Sequence, residues 1–203
     1  MYPRKQLDIR WSDLAHAALY CAFPGSIRAK EAELEGMFAS PFPVLSVFTV
    51  RTGFDLCLGA IGLPAGSEIL MSALTIKEMV NIAKRHGLVP IPLDIESGTL
   101  APEITTIEDA ITERTRAIVI AHLFGTRVPM GPVIELAKKH GMLVIEDCAQ
   151  AFTGQDYTGH PETDVAMFSF GSIKTMTSLG GALLRVRDAA LLRKMRIIQR
   201  THP

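Results

Sequence analysis

Short apolar segments alternate with helical patterns along most of this chain, and this alternation restricts its possible folds more than any other feature. Two such segments are RAIVIAHLF at 116–124 and MLVIED at 142–147. Continuous apolar runs of this kind are typical of strands that are buried on both faces of a parallel sheet. The pattern therefore predicts a three-layer α/β/α fold, with helices on both faces of a mostly parallel sheet of about seven strands.

The predicted strands divide the chain into two parts. Helices are predicted over 11–22 and from Ser26 to about Phe38, before the first strand. A further helix is predicted from about Phe54 to Ile61. We therefore expect residues 1–40 to form an N-terminal helical segment and residues 41–203 to form the α/β domain. The predicted strands are at 44–50, 68–73, 88–94, 116–124, 142–147, 164–170 and 181–187.

The composition argues against several classes of function. Lysine and arginine together number 21, as do aspartate and glutamate, so there is no excess positive charge for binding nucleic acid. No apolar run approaches the roughly 20 residues that a membrane-spanning helix requires. The three cysteines lack CxxC spacing, which argues against a disulfide framework or a structural zinc site. We expect a cytoplasmic protein that binds neither nucleic acid, membrane nor metal.

Polar residues at the ends of the predicted strands are the candidates for a site, because ligands of such sheets bind beyond the carboxyl ends of the strands. Asp147 ends one strand, Ser169 ends a later one, and Lys174 follows in a loop rich in glycine, serine and threonine. Each alone has an ordinary structural explanation: a cap or salt bridge, a turn serine, and a surface lysine. Together they match the needs of pyridoxal 5'-phosphate (PLP), which uses a lysine, a carboxylate facing the ring nitrogen, and donors for its phosphate.

Residues 45–202 resemble the amino-terminal half of the DegT/DnrJ/StrS family of sugar-nucleotide aminotransferases, which are PLP enzymes of fold type I. The resemblance implies the large domain of an aspartate aminotransferase-like transferase, which acts as a homodimer. The most specific elements are EDxAQA and FSFxxxK. The segments that carry the resemblance are RTGFDL (51–56), GSEILMSALT (66–75), GLVPIPLDIE (87–96), AITERTRAIVIAHLFG (110–125), AKKHGMLVIEDCAQAF (137–152), MFSFGSIKT (167–175) and LGGALL (179–184).

The resemblance also implies roles for the residues at matching positions. Lys174 would be the Schiff-base lysine and the general acid and base, and Asp147 would pair with the pyridinium nitrogen. Gln150 would lie beside the 3-hydroxyl of the ring. His122 would lie near the cofactor, although a hydrogen-bonded core histidine is the ordinary alternative at such a position.

The phosphate of PLP is expected at Ser169 and at the backbone of Gly53 and Phe54. The loop at 52–54 precedes a predicted helix, and a helix start offers free N–H groups and a dipole that favours an anion. Phe54 departs from the family pattern, which has a hydroxyl residue after the glycine.

The function that the resemblance implies is transfer of an amino group, from glutamate, to a keto-sugar carried on a nucleotide. Two alternatives stay open. One is a catalytically silent PLP-fold domain that acts as a binding or assembly module. The changed phosphate loop favours it, as does our expectation that this chain lacks the small C-terminal domain of the family. The other is a dehydratase of the same family, which Lys174 opposes because those relatives carry histidine at that position.

Overall fold

The computed structural model describes residues 9–154, 156–174 and 176–201. None of the helices in this part of the chain is long and apolar enough to cross a lipid bilayer. Its helices and strands follow one another as α1 (Trp11–Ala22), α2 (Ile27–Met37), β1 (Val44–Val47), α3 (Val50–Ile61), β2 (Glu68–Ser72), α4 (Lys77–Arg85), β3 (Val89–Leu93), α5 (Ile104–Asp109), β4 (Thr115–Ala121), α6 (Met130–His140), β5 (Leu143–Asp147), β6 (Val165–Ser169), β7 (Ala182–Val186) and α7 (Ala189–Thr201).

The seven strands form one sheet in the order β1-β7-β6-β5-β4-β2-β3. β7 runs antiparallel to both of its neighbours, and the other adjacent pairs are parallel. β3 lies at one edge, where Pro90 and Pro92 are tolerated because an edge strand leaves part of its backbone unpaired. The predicted mostly parallel, seven-stranded sheet is therefore confirmed.

Helices cover both faces of the sheet, and the two largest hydrophobic cores lie between the helices and the sheet. α3, α4 and α7 pack on one face, and α5 and α6 pack on the other. Because successive side chains of a strand point to opposite faces, Ala117 and Val119 of β4 join the first core. Ile118 and Ile120 join the second. This arrangement is the predicted α/β/α fold, and the carboxyl ends of the parallel strands lie along one edge of it.

The start of α3 differs from the prediction. β1 ends at Val47 and α3 begins at Val50, so the predicted strand over 44–50 is too long and the predicted helix from Phe54 begins too late. Thr49 is the N-cap residue, and its Oγ1 accepts a hydrogen bond of 3.1 Å from the N–H of Thr52. A β-branched, apolar run favours a strand, but this local cap decides where the helix begins.

The two helices that precede the sheet lie within the predicted N-terminal helical segment. Ser26 caps α2, with the Ala29 N–H donating to its Oγ at 3.3 Å. No residue of α1 is buried. Residues 1–8 lie outside the described residues, and the boundary at residue 40 stays a prediction.

The carboxylate of Glu35 joins α2 to the sheet. Glu35 Oε1 accepts hydrogen bonds from the N–H of Ser46 at 2.8 Å and from its hydroxyl at 3.0 Å. Glu35 Oε2 lies 2.5 Å from Nη2 of Arg196 on α7. Because the Glu35 side chain is only 11% exposed, water screens these interactions weakly. Glu35 therefore connects α2 with both β1 and α7.

Replacing Glu35 with alanine is expected to lower the free energy of unfolding by about 2 kcal/mol, because the Arg196 guanidinium and the Ser46 donors lose their acceptor. Glu33→Ala is the matched control on the same helix, since Glu33 forms an exposed pair with Lys30 and should hardly affect stability. Urea denaturation of the two variants tests this expectation. Equal effects of the two substitutions would contradict it.

Candidate active site

A cavity of about 630 Å³ lies at the carboxyl edge of the sheet, where β4, β5 and β6 end and α3 begins. Its size is within the range that small-molecule and cofactor sites usually have. Gly53 and Phe54 are not part of its lining. The site residues predicted from the sequence that do line it are His122, Asp147, Gln150, Ser169 and Lys174.

Asp147 is the last residue of β5, between the ends of β4 and β6. In the sheet register it lies beside Ala121 of β4 and Met167 of β6. One carboxylate oxygen, Oδ1, accepts a hydrogen bond of 3.0 Å from the N–H of Ala149. This bond orients the carboxylate at the cavity wall, and a carboxylate so placed suits a protonated ring nitrogen.

Lys174 lies on the loop that joins β6 to β7. Its N–H donates to the carbonyl of Gly171 at 3.0 Å, which closes a tight turn. The base of the loop is held by hydrogen bonds from the Phe170 N–H to the Gly181 carbonyl (3.0 Å) and from the Ser178 N–H to the Phe170 carbonyl (2.9 Å). The loop therefore begins and ends at the sheet edge, which keeps Lys174 in the cavity lining.

The cavity changes the pKa values of Lys174 and Asp147. Burial lowers the pKa of the Lys174 ammonium below its ordinary value, and the attraction of Asp147 opposes part of this change. Burial raises the pKa of Asp147, while the Ala149 N–H and Lys174 act in the opposite direction. A lowered lysine pKa increases the fraction of neutral amine, which is the form that attacks a carbonyl.

Gln150 and Ser169 complete the predicted set. Gln150 is exposed, and its Oε1 accepts a hydrogen bond of 3.1 Å from the N–H of Phe124. Because the amide oxygen is engaged there, its amino group is the part that can donate to a ligand. Ser169 ends β6 and is half-buried at the cavity wall, opposite the start of β7.

The structure does not place Gly53 and Phe54 where a phosphate could use their N–H groups. The N–H of Gly53 donates to the carbonyl of Thr49 at 3.0 Å, within the first turn of α3. A Cβ at Gly53 would overlap the side chain of Leu184, so this glycine allows close packing of α3 on β7. Phe54 is fully buried in the core. Both residues therefore have packing roles.

The part of α3 that reaches the cavity is its true start, three residues that the sequence analysis missed. Thr49, Val50 and Arg51 line the cavity. The N–H groups at the start of a helix have no partner within it, and the helix dipole is positive there. Thr49, a residue type that N-cap positions favour, was the sequence signal for this helix start.

His122 lies in the cavity wall, but both of its ring nitrogens are engaged within the protein. Nδ1 accepts a hydrogen bond of 3.0 Å from the N–H of Val128, so the ring proton belongs on Nε2. Nε2 lies 2.7 Å from Oε1 of Glu146 and donates to it. His122 is thus a hydrogen-bonded core histidine that can touch a ligand only through its ring carbons.

Glu146 is a completely buried carboxylate that the sequence analysis did not single out. It precedes Asp147 on β5, so the two side chains point to opposite faces of the sheet. Burial opposes its ionisation, but hydrogen bonds from His122 and Tyr157 outweigh this effect and lower its pKa to about 2. The N–H of His160 and the hydroxyl of Thr163 each donate to Oε2 at 2.9 Å. This network fixes the end of β5 from the face of the sheet opposite to Asp147.

The mouth of the cavity is apolar and partly strained. Phe124 and Leu179 line the cavity with φ angles of 51° and 67°, a region that residues with a side chain rarely occupy. Backbone strain of this kind is concentrated at functional sites. We call the large apolar residues that line the cavity and are also exposed the apolar rim, and they are Phe48, Leu74, Ile76, Phe124, Ile173 and Leu179.

Comparison with known proteins gives a consistent result. Residues 30–202 match the DegT/DnrJ/EryC1/StrS aminotransferase family. The chain is 36% identical over 165 residues to the GDP-perosamine synthase of Escherichia coli. It is 30% identical over 154 residues to the UDP-4-amino-4-deoxy-L-arabinose–oxoglutarate aminotransferase of Shewanella sediminis. The two matches cover 78% and 75% of this chain, but only 45% and 39% of those relatives.

The fold also matches solved structures of sugar aminotransferases. The sugar aminotransferase of Micromonospora echinospora superimposes with a TM-score of 0.82 and 25% identity. That match covers 97% of this chain and 57% of the other protein. The chain thus spans about half the length of the proteins it matches.

Proposed function

Because the chain belongs to the DegT/DnrJ/EryC1/StrS aminotransferase family, we propose that it is the cofactor-binding part of a PLP-dependent sugar aminotransferase. The observation that carries this proposal is the presence of Lys174 and Asp147 in the lining of one cavity. The pKa of the lysine is lowered there, which favours its reactive neutral form.

The residues of the cavity fit PLP in their chemistry. Lys174 supplies the amine for covalent attachment, and Asp147 supplies the charge for the ring nitrogen. The Gln150 amino group is the donor for the 3-hydroxyl. Ser169 and the first turn of α3 are the donors for the phosphate.

In this proposal PLP supplies the electron sink for the reaction, and the protein supplies position and proton transfer. Lys174 would hold the cofactor through its side-chain amine, and the same amine, when free, would accept and donate the proton at the reacting carbon. Asp147 keeps the ring nitrogen protonated. Both ring nitrogens of His122 are engaged within the protein, so its ring forms a rigid part of the cavity wall.

We propose glutamate as the amino donor and a nucleotide-linked keto-sugar as the acceptor. The amino group replaces the keto oxygen of the sugar, and the donor leaves as its 2-oxo acid. The names of the two relatives support this choice, since one contains a GDP-linked sugar and the other a UDP-linked sugar and oxoglutarate. A cytoplasmic location is part of the same proposal.

We further propose that the protein acts as a homodimer. The apolar rim surrounds the cavity mouth, and large apolar side chains grouped in this way mark a surface that binds a partner. The exposed apolar residues of α1, among them Trp11 and Leu19, are a second candidate contact.

The alternative of a catalytically silent binding module is less favoured. One of its two supports was the phenylalanine in the expected phosphate loop, but Phe54 belongs to the core and the start of α3 carries Thr49 instead. Lys174 likewise disfavours a dehydratase, because a histidine is expected at this position in that reaction class.

Borohydride reduction of the purified chain with PLP tests the proposal. We expect mass spectrometry to find the pyridoxyl group on Lys174, because its neutral amine is favoured. Lys138 and Lys139 are internal controls, since both form ion pairs on α6, with Glu162 and Glu108 respectively. Labelling of another lysine would refute the site assignment. A folded sample without label would instead favour the silent module.

A further inference from the structure

Arg185 of β7 is a buried arginine that has no part in the function proposed so far. It is only 1% exposed and is among the largest fully buried side chains that the structure describes. Among the described residues, no group accepts a hydrogen bond from its Nε or Nη1. A buried cation with unmade hydrogen bonds opposes folding, and apolar side chains of similar size are often tolerated better. Packing alone therefore does not explain an arginine at this position.

The register of the sheet places Arg185 in one row with Glu146. Arg185 lies beside Ala166 of β6, and Ala166 lies beside Glu146 of β5. Residues paired in this way point their side chains to the same face, and two strand spacings amount to about 10 Å. Gly159 lies against Ala166, because a Cβ added to it would be 2.5 Å from the Ala166 Cβ and 3.2 Å from the Arg185 Nε. The sheet thus presents a cation and an anion on one face, with loop backbone packed over the row.

Two residues of that loop connect the two charges. Nη2 of Arg185 donates to the carbonyl of His160 at 2.8 Å and to the carbonyl of Thr163 at 3.1 Å. The N–H of His160 and the hydroxyl of Thr163 donate to Oε2 of Glu146, each at 2.9 Å. Each bridging residue therefore accepts from the cation and donates to the anion, and hydrogen bonds linked in this way strengthen one another.

Arg185 is the counter-charge of Glu146 in this core. Burial lowers the pKa of the guanidinium, and the charge of Glu146 opposes this change. Because the attraction is mutual, Arg185 favours the ionised form of Glu146, whose pKa is about 2. The other titratable groups that face the pair are His122, Cys148, Tyr157, His160 and Arg187. Burial raises the pKa of Cys148 and of Tyr157, and Arg187 already forms an ion pair with Asp164. Loss of Arg185 would therefore make Glu146 easier to protonate.

We infer that Arg185 is a positioning residue of the proposed active site, which acts through residues 159–163 and Glu146 to hold the ring of His122 in the cavity wall. The inference rests on the proposed function and adds to it a residue that lies outside the cavity lining. Ionised Glu146 accepts the Nε2 proton of His122 at 2.7 Å, and a protonated carboxyl would accept it less strongly. The backbone N–H of His122 also donates to the carbonyl of Asp147 at 3.0 Å, so His122 lies against the strand end that carries this site residue.

Variants of Arg185 test the inference. Arg185→Met removes the charge, Arg185→Lys retains it, and Arg185→Met combined with Glu146→Gln removes both charges. Arg187→Met is the matched control two residues along the chain, because the Arg187 side chain is 44% exposed and pairs with Asp164. The thermal midpoint should fall most in Arg185→Met and should recover in the double variant, since one buried charge without its partner is worse than none. A double variant that is as unstable as Arg185→Met would overturn the inference, whether or not the single variant folds.

The first measurement follows the carboxyl carbon of Glu146 by NMR in the cofactor-free protein, with Glu146→Gln to assign the signal. In Arg185→Met the midpoint of this titration should rise by about one pH unit or more, because the ionised form loses its counter-charge. Arg185→Lys and Arg187→Met should titrate like the wild type. A purely structural role of Arg185 does not move this midpoint, so an unchanged midpoint in Arg185→Met would exclude the proposed positioning role.

The second measurement compares the affinity for PLP with that of the wild type at the same pH, above and below the new Glu146 midpoint. Arg185→Met should bind PLP nearly as well as the wild type above it and roughly 10-fold more weakly below it, where the His122 ring loses its acceptor. The double variant has no Glu146 charge to titrate and should show one ratio at both pH values. An equal loss at both pH values in Arg185→Met, or no loss at either, contradicts the inference. Wild-type protein that is not labelled at Lys174 would instead refute the proposed function, and the Glu146 titration does not depend on that result.

Discussion

Lys174→Ala is expected to abolish covalent attachment of PLP and to reduce transamination by roughly a thousandfold or more. In the proposed function, Lys174 supplies both the amine that holds the cofactor and the group that moves the proton, so its removal should cause both losses. The phosphate contacts do not involve this amine. PLP should therefore still bind reversibly, without the absorbance change that covalent attachment produces.

Two observations separate this result from simple unfolding. The loop carrying Lys174 is held at its base by the backbone hydrogen bonds from Phe170 to Gly181 and from Ser178 to Phe170, which the substitution leaves in place. The far-UV circular dichroism and thermal midpoint should therefore resemble those of the wild type. Lys139→Ala, on α6, is the control and should retain covalent attachment. A Lys174→Ala protein that still traps PLP after borohydride reduction would exclude this lysine as the attachment site.

Asp147→Asn is expected to preserve covalent attachment but to reduce transamination about 100-fold or more, because the ring nitrogen loses the charge that keeps it protonated. A second effect concerns pH. The negative charge of Asp147 raises the pKa of Lys174 in the wild type. Its removal therefore lowers that pKa further, and half-maximal attachment of PLP should move to lower pH. Borohydride trapping across a series of pH values measures the shift.

Asp94→Asn is the matched control for this experiment. Asp94 also follows a strand of the sheet, β3, and its Oδ1 accepts a hydrogen bond of 2.9 Å from the N–H of Ile95. It lies outside the cavity lining. The substitution should leave the rate and the pH profile unchanged. Equal losses in the two variants would mean that a general effect on the fold, and not the charge facing the cofactor, explains the Asp147 result.

The sheet and its carboxyl edge could be predicted from the sequence because their signals are local. Apolar runs such as 116–124 identify buried strands, and the residues that directly follow them must lie at one edge. This logic predicted that Asp147, Ser169 and Lys174 meet at that edge, and all three line the cavity there. The EDxAQA and FSFxxxK elements then indicated the aminotransferase family.

The start of α3 and the surroundings of His122 could not be predicted in the same way. The run through Val50 has the composition of a strand, and only the hydrogen bond of Thr49 to the following turn ends it. Glu146 meets His122 across 24 positions in the chain because β4 and β5 pair in parallel, with Ala121 beside Asp147. Such contacts depend on strand register, which single-sequence patterns do not specify.

The position of β7 has a consequence for the order in which this protein assembles during synthesis. Among the described strands, β1 pairs only with β7, so β1 must wait for residues 182–186 before it can join the sheet. The loop that carries Lys174 closes at the same moment, because β7 anchors its far end. Cofactor capture should therefore follow the pairing of β7 with β1 and β6. PLP bound at Lys174 would then stabilise the finished sheet in preference to every incomplete form of it.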